Sequence, residues 1–148
     1  LRAQTIRRLI DSHLQHERDL SLIAVELDDP AGYGRVLTDD SGNVCRIIEE
    51  ADASPAQKAI KIVNSGIYCA RRSFLQWVLP RIQCRNAQGE YYLTDIVGIG
   101  HRHGSSLGTL IAPDVEEIAG INTPEELLRV ERVLEKMSVK RCVDFVSQ

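Results

Sequence analysis

The stretch "LDDPAGYGRV", residues 27–36, interrupts a run of strand-forming residues with turn residues. It holds two acids, a proline and two glycines before a new apolar run begins at Val36. Gly32 and Gly34 allow backbone conformations that a Cβ would forbid, and they let another group approach the main chain closely. Two interpretations stay open from composition alone. The stretch is a tight connection that needs a positive φ, or Gly34 presents bare backbone to a ligand.

Outward from this stretch, helical and strand patterns alternate. Helical spacing of apolar residues predicts a helix over 5–16, and a β-rich run predicts a buried strand over 20–27. Turn residues at 39–43 separate two short runs, which predicts a hairpin of strands 35–38 and 44–49. Further strands are expected over 60–70, 107–112 and 115–118, and further helices over 73–79, 94–103 and about 123–137. Because helices alternate with strands, the predicted class is α/β.

Composition excludes several kinds of partner. The chain has 148 residues, one domain's worth, and a formal net charge of -3, whereas nucleic-acid binding through phosphates requires a basic face. No run approaches the roughly 18 apolar residues of a membrane span, and no signal peptide is visible. The four cysteines form no C-x-x-C pair, which predicts reduced thiols and a cytoplasmic protein. We therefore expect neither nucleic acid nor membrane as a partner.

Two positions carry polar groups that suit sugar recognition. Glu49 and Glu50 end the predicted hairpin, and adjacent strand residues point to opposite faces, so at most one of them faces a site. A single inward carboxylate would accept hydrogen bonds from sugar hydroxyls, although an exposed strand end explains the pair equally simply. Asn64 interrupts a predicted strand, and its amide suits hydroxyl or N-acetyl groups. The alternative there is a β-bulge in which Gly66 supplies the kink.

Asn122 directly precedes a capping box that begins at Thr123. Since Thr123 is the better cap, the Asn122 side chain is free, and its carbonyl oxygen would suit the hard cation Mg²⁺. The simpler interpretation is a second cap residue. The sequence holds no phosphate-loop motif, no nucleophile elbow and no H-E-x-x-H motif.

Taken together, five segments resemble the sugar-1-phosphate nucleotidyltransferases. They are D-D-P-A-G-Y-G-R-V (28–36), I-I-E-E (47–50), V-N-S-G-I-Y (63–68), N-A-Q-G-E-Y-Y-L-T-D-I (86–96) and G-I-N-T (120–123). The resemblance is closest to the uridyltransferase domain of the bifunctional N-acetylglucosamine-1-phosphate uridyltransferases / glucosamine-1-phosphate acetyltransferases. It implies an α/β fold that is the C-terminal half of a Rossmann-like nucleotide-diphospho-sugar transferase domain, with a mixed sheet and flanking helices.

The resemblance also implies a reaction and a set of site residues. The reaction is UTP plus N-acetylglucosamine-1-phosphate giving UDP-N-acetylglucosamine and pyrophosphate, by direct in-line attack assisted by Mg²⁺. Asn122 would bind Mg²⁺ and touch the product. The residues that would bind the sugar are Gly34, Glu49, Asn64, Tyr92 and Thr94.

Several parts of the family pattern have no counterpart in this sequence: the glycine-rich nucleotide loop, the uracil-reading segment and the aspartate that is the other Mg²⁺ ligand. They are expected upstream of Leu1. Residues 1–122 are therefore expected to form the sugar-binding half of the domain, and residues 123–148 a C-terminal helix with a linker-like tail. We expect self-association, or a missing N-terminal half, to cover exposed apolar surface. A truncated, non-catalytic module that binds sugar phosphate stays open as an alternative, as does an enzyme for another base or sugar.

Overall fold

The computed structural model describes residues 1–115 and, beyond them, residues 124, 127, 128, 130–132, 134 and 135. Its strands are β1 (Leu20–Glu26), β2 (Arg35–Thr38), β3 (Val44–Ile48), β4 (Ile62–Ala70) and β5 (Leu107–Ile111). They form a sheet in the order β3-β2-β4-β1-β5. β1 is parallel to β5 and antiparallel to β4, while β2 is antiparallel to both β3 and β4. The predicted mixed sheet is confirmed.

Helices cover both faces of this sheet. They are α1 (Ala3–Gln15), α2 (Pro55–Lys58), α3 (Arg72–Val78) and α4 (Asp95–Arg102), with 3₁₀ turns at Glu50–Asp52 and Leu79–Arg81. On one face, Leu9 of α1 packs near Ile23. On the other face, α3 and α4 bury Phe74 and Ile96 against Leu22. Because both faces of β1 are covered, its residues 20–25 are all buried, which explains a continuous apolar run instead of an alternating one.

Most predicted elements lie within two residues of their expected bounds, but the residue that caps α3 differs from the prediction. Ser73 was expected to cap it, whereas the N-cap is Arg71. The backbone N–H of Arg71 donates to the carbonyl of Asp19, and its Nε donates to the carbonyl of Arg18. These two bonds hold Arg71 in an extended conformation, so the helix begins at Arg72, two residues before the start that a Ser73 cap implies.

The C-terminal predictions fall mostly outside the described residues. Val115, expected to begin a strand, has a 3₁₀ conformation, and residues 116–118 are not described. In the predicted helix over 123–137, the residues that are described, among them Leu127 and Leu134, are helical. The remainder of that helix and the tail stay predictions.

β4 is continuous through residues 64–66, where the sequence predicted an interruption. Leu22 pairs with Tyr68 and Ala24 pairs with Asn64, so three residues of β4 oppose a single residue of β1. Gly66, inside this segment, has a φ of 77°. The segment is therefore a β-bulge, as the alternative interpretation proposed, and bulges commonly re-aim side chains next to functional sites.

The outer side of α1 carries exposed apolar side chains. Ile6, Ile10 and Leu14 are 40%, 41% and 66% exposed. Their spacing of four residues places them in one stripe along the helix. Ile111 at the end of β5 is also exposed, so apolar surface lies on α1 and at one edge of the sheet, and its cover by a second copy or a missing half stays a prediction.

Candidate functional site

Residues from four elements meet where the hairpin ends. Gly34 precedes β2, Glu49 follows β3, Asn64 lies in the bulge of β4, and Thr94 precedes α4. The Thr94 hydroxyl donates a hydrogen bond of 2.7 Å to Oε1 of Glu49. The backbone N–H of Asn64 donates a bond of 2.8 Å to the carbonyl of Gly34. Four of the five predicted sugar-binding residues are therefore brought together.

The two glycines of the opening stretch have different tasks. Gly32 has the positive φ, 82°, and nothing lies near the position of its missing side chain. A Cβ on Gly34 would instead lie 3.0 Å from Cγ2 of Ile47 and 3.1 Å from Oε2 of Glu49. Gly32 supplies the turn, and Gly34 supplies the close approach. The groups that approach Gly34 are the protein's own Ile47 methyl and Glu49 carboxylate.

The neighbouring glutamates have opposite surroundings. Glu49 lies against Gly34, and within the described part of the chain its Oε2 accepts no hydrogen bond. Glu50 instead forms ion pairs of 2.7 Å with Arg35 and 3.2 Å with Lys58. Hydrogen bonds from these two cations hold the pKa of Glu50 below its usual value. Of these two glutamates, only Glu49 has a carboxylate oxygen without a partner among the described residues.

Arg35 is a structural residue that sequence reasoning did not single out. It is 1% exposed, and its guanidinium donates to Glu50 and to the carbonyls of Tyr33 and Lys58. These bonds tie the loop before β2 to the end of the hairpin and to α2. The available signal was a charged residue at the start of an apolar run, since Arg is almost never fully buried unless paired.

Tyr68 is a second residue that the sequence interpretation missed. Its hydroxyl oxygen is buried, and within the described residues it meets no hydrogen-bond partner. Burial raises the pKa of Tyr68 to about 12; the nearby Asn64 side chain opposes this rise, and the charge of Glu49 adds to it. The hydroxyl thus lies beside both residues, without a well-formed bond to Asn64. We call Gly34, Glu49, Asn64, Tyr68 and Thr94 the Glu49 cluster.

Tyr92 lies at the edge of this cluster and not within its hydrogen bonds. Its hydroxyl donates a bond of 2.6 Å to Oε1 of Gln88. Burial raises the pKa of Tyr92, and the negative charges of Asp52, Glu90 and Glu49 raise it further. Tyr92 is therefore a neighbour of Glu49 that the loop before α4 holds.

Comparison with known proteins identifies relatives of this chain. No protein-family model matches the chain. It is 44% identical over 136 residues to a bifunctional protein GlmU of Pelotomaculum thermopropionicum, and 38% identical over 131 residues to one of Desulfotalea psychrophila. The chain is homologous to part of the bifunctional GlmU proteins. The alignments cover 92% and 88% of this chain but only 30% and 39% of those GlmU proteins.

A solved structure has a similar fold. The crystal structure described as a glucose-1-phosphate thymidylyltransferase from Bacillus anthracis, in complex with a sucrose, superposes with a TM-score of 0.62. The match covers 86% of this chain and 48% of that chain, at 17% sequence identity, so it speaks for the fold alone. The GlmU alignments confirm the predicted resemblance to sugar-1-phosphate nucleotidyltransferases, and the superposition confirms the predicted Rossmann-like α/β class.

The predicted Mg²⁺ site is not tested by the described residues. Asn122, the predicted Mg²⁺ ligand, lies outside the described residues. Among the residues that are described, no three His, Cys, Asp or Glu side chains are grouped closely enough to hold a metal ion. Mg²⁺ usually binds through one or two carboxylates, substrate phosphates and water, so Asn122 as its ligand stays a prediction.

Two cavities lie away from the Glu49 cluster. The larger, of about 670 Å³, separates the β2–β3 hairpin from β5 and is lined by Val36, Val44 and Thr109, among others. The smaller, of about 310 Å³, adjoins α4. Neither is lined by a residue of the Glu49 cluster. Among the helices of the described residues, none has the length and apolar composition needed to cross a membrane.

Proposed function

We propose that this chain is the sugar-phosphate-binding part of a sugar-1-phosphate nucleotidyltransferase, and that its sugar substrate is N-acetylglucosamine-1-phosphate. The observation that carries the proposal is the free Oε2 of Glu49, held over the bare main chain of Gly34. Homology to the GlmU proteins supports the same choice.

The Glu49 cluster offers the donors and acceptors that an N-acetyl sugar requires. Oε2 of Glu49 is an acceptor for hydroxyl groups, and its charge strengthens such bonds. The carbonyl oxygen of Asn64 already accepts a bond of 3.2 Å from the N–H of Gly66, which leaves the amide NH₂ as a donor. That donor suits an N-acetyl carbonyl oxygen. The missing side chain at Gly34 lets the Glu49 carboxylate lie against the main chain, where its free oxygen can meet the sugar.

The proposed reaction joins the sugar phosphate to UTP. An oxygen of the sugar phosphate attacks the α-phosphorus of UTP, the new P–O bond forms, and pyrophosphate leaves. No protein nucleophile is needed, so the residues of this chain would act by holding the sugar in position. Mg²⁺ would supply charge neutralisation when bound, and Asn122 is the residue we propose as its ligand here. We place the reaction in the cytoplasm.

Binding of the sugar phosphate tests the proposal directly. Calorimetric titration of the chain with N-acetylglucosamine-1-phosphate should show one saturable site. Glu49→Gln keeps an acceptor for Thr94 but replaces the free oxygen with an amide, and we expect affinity to fall at least about tenfold because a charged hydrogen bond is lost. Glu26→Gln is the matched control, because Glu26 is exposed at the end of β1. Unchanged affinity in Glu49→Gln would contradict the site.

Turnover separates an enzyme part from a non-catalytic binding module. We expect no pyrophosphate release from UTP by the isolated chain, because no nucleotide-loop motif is present in its sequence. Adding the N-terminal segment of a GlmU relative should restore release if the chain derives from an active enzyme. Failure of a well-folded complex to turn over would favour the binding module, and turnover by the chain alone would contradict the need for such a segment.

A further inference from the structure

Four arginines from separate parts of the chain line the smaller cavity, of about 310 Å³. Arg46 lies in β3, Arg81 ends a 3₁₀ turn, Arg85 lies in the following loop, and Arg102 ends α4. We call this site the arginine cavity. None of its lining residues belongs to the Glu49 cluster, so a ligand of this cavity is independent of the proposed function.

The charge of the arginine cavity is almost uncompensated. Asp95 is the single acidic residue in its lining, so the formal local charge is +3, whereas the whole chain carries -3. Within the described part of the chain, none of the four arginines forms an ion pair. Like charges that converge on one cavity repel one another, and a bound anion would relieve that repulsion.

The four arginine side chains are exposed, and three of them have contacts that place them beside the cavity. A Cβ on Gly98 of α4 would lie 3.4 Å from Nη1 of Arg102 and 3.7 Å from Cγ of Arg46. The two side chains therefore converge over bare main chain. Cζ of Arg81 lies 4.6 Å from the centroid of the Trp77 ring, a cation–π contact that fixes its direction. Guanidinium groups held in this way match phosphate oxygens with paired donors.

We propose that the arginine cavity binds a small, multiply charged phosphate anion of the size of diphosphate or triphosphate. The cavity is concave and small, which suits a compact anion. An extended polyanion such as nucleic acid would meet the net negative charge of the remaining surface. A neutral ligand would leave four positive charges without partners.

The fluorescence of Trp77 provides the measurement, because it is the single tryptophan of the chain and contacts Arg81. The full chain is titrated with sodium triphosphate at constant ionic strength, and we expect a saturable change with one site per chain. The double variant Arg46→Gln/Arg102→Gln should weaken the affinity at least about tenfold, because two charged hydrogen bonds are lost. A parallel titration with UTP compares free phosphate with the phosphate chain of a nucleotide, and equal affinity assigns recognition to the phosphates alone.

The control variant is Arg7→Gln/Arg8→Gln, which removes the same charge from exposed positions of α1. It should leave the affinity unchanged. Three results would overturn the proposal: no saturable change, equal weakening in the control, or an equal response to sodium sulfate at the same ionic strength, which would mean an adventitious ion only. If the double variant fails to fold, Arg85→Gln in the exposed loop takes its place, and weaker triphosphate binding is expected there as well.

Discussion

The Glu49 cluster and the arginine cavity meet at the start of α4, where Thr94 belongs to the first and Asp95 to the second. In the Glu49 cluster, one carboxylate oxygen is held by a hydroxyl, and the other lies against a glycine and accepts no hydrogen bond within the described residues. In the arginine cavity, four arginines share one acidic neighbour, Asp95, and among the described residues none of them forms an ion pair. The proposed sugar site therefore rests on one free carboxylate oxygen among hydrogen-bonded groups. The proposed anion site rests on an excess of positive charge.

The largest expected effect is that of Arg35→Ala, which should disturb the Glu49 cluster and leave the arginine cavity intact. Arg35→Ala removes a buried side chain and the charged donor of two carbonyls, those of Tyr33 and Lys58, while Glu50 keeps Lys58 as its partner, so we expect a loss of about 3 kcal/mol in the free energy of unfolding. Sugar-phosphate binding should fail because the hairpin end shifts, while the triphosphate response of the arginine cavity persists. Urea unfolding and the two titrations measure this. Arg7→Ala, an exposed control, should stay within about 0.5 kcal/mol of the wild type. A similarly small change in Arg35→Ala would refute the role given to it.

Gly34→Ala tests the close approach inside the Glu49 cluster. The new Cβ would crowd Ile47 and Glu49, and we expect a loss of about 2 kcal/mol together with weaker sugar-phosphate binding. Gly32→Ala is the matched control: its positive φ costs about 1 kcal/mol, but the added carbon meets open space and Glu49 stays in place. Thermal or urea unfolding compares the two. Sugar-phosphate binding lost in Gly32→Ala and retained in Gly34→Ala would reverse our assignment.

High pH should lower the free energy of unfolding through Tyr68. The pKa of Tyr68 is raised to about 12 in the folded chain. In the unfolded chain the phenol loses its proton near pH 10, so deprotonation favours unfolding as the pH rises from 10 towards 12. One pKa unit above the unfolded value, the loss is about 1.4 kcal/mol. Urea unfolding at a series of pH values should show this component in the wild type and not in Tyr68→Phe.

Thr94→Val removes the hydroxyl that holds Glu49 and keeps the shape of the side chain. The lost hydrogen bond should cost about 1 kcal/mol of stability. Sugar-phosphate affinity should fall by less than in Glu49→Gln, because Oε2 stays available. The affinity for triphosphate is expected to be unchanged, although Asp95, the next residue, lines the arginine cavity. A larger effect on triphosphate than on sugar phosphate would show that the two regions are coupled.

Gly98→Ala gives the smallest effect, and its sign is opposite to that of Gly34→Ala. Gly98 lies inside α4, where alanine is the better helix former, and the new Cβ would lie at ordinary contact distance from the flexible end of Arg102. We expect a gain of about 0.5 kcal/mol, measured as a higher melting temperature. A loss of stability would mean that the floor of the arginine cavity is packed as tightly as Gly34.

Local patterns predicted much of this molecule. The apolar spacing of α1, the continuous run of β1 and the turn residues of the hairpin act over a few neighbouring residues, so their elements can be inferred without the rest of the chain. Gly34, Glu49, Asn64 and Thr94 lie in segments that a family resemblance marks. Tyr68 lies in one of the same segments but was not predicted as a site residue, because the bulge decides which side chains of β4 face the cluster, and a bulge depends on pairing with β1.

Sequence alone specified the order and type of most elements and the identity of the groups that could meet a sugar. Only the folded chain established that Ile47 and Glu49 approach Gly34, that buried Arg35 pairs with Glu50, and that four distant arginines share one cavity. The physical reason is range. Periodicity and turn chemistry act between near neighbours along the chain, whereas close packing and charge convergence depend on which surfaces the folded sheet and helices bring together.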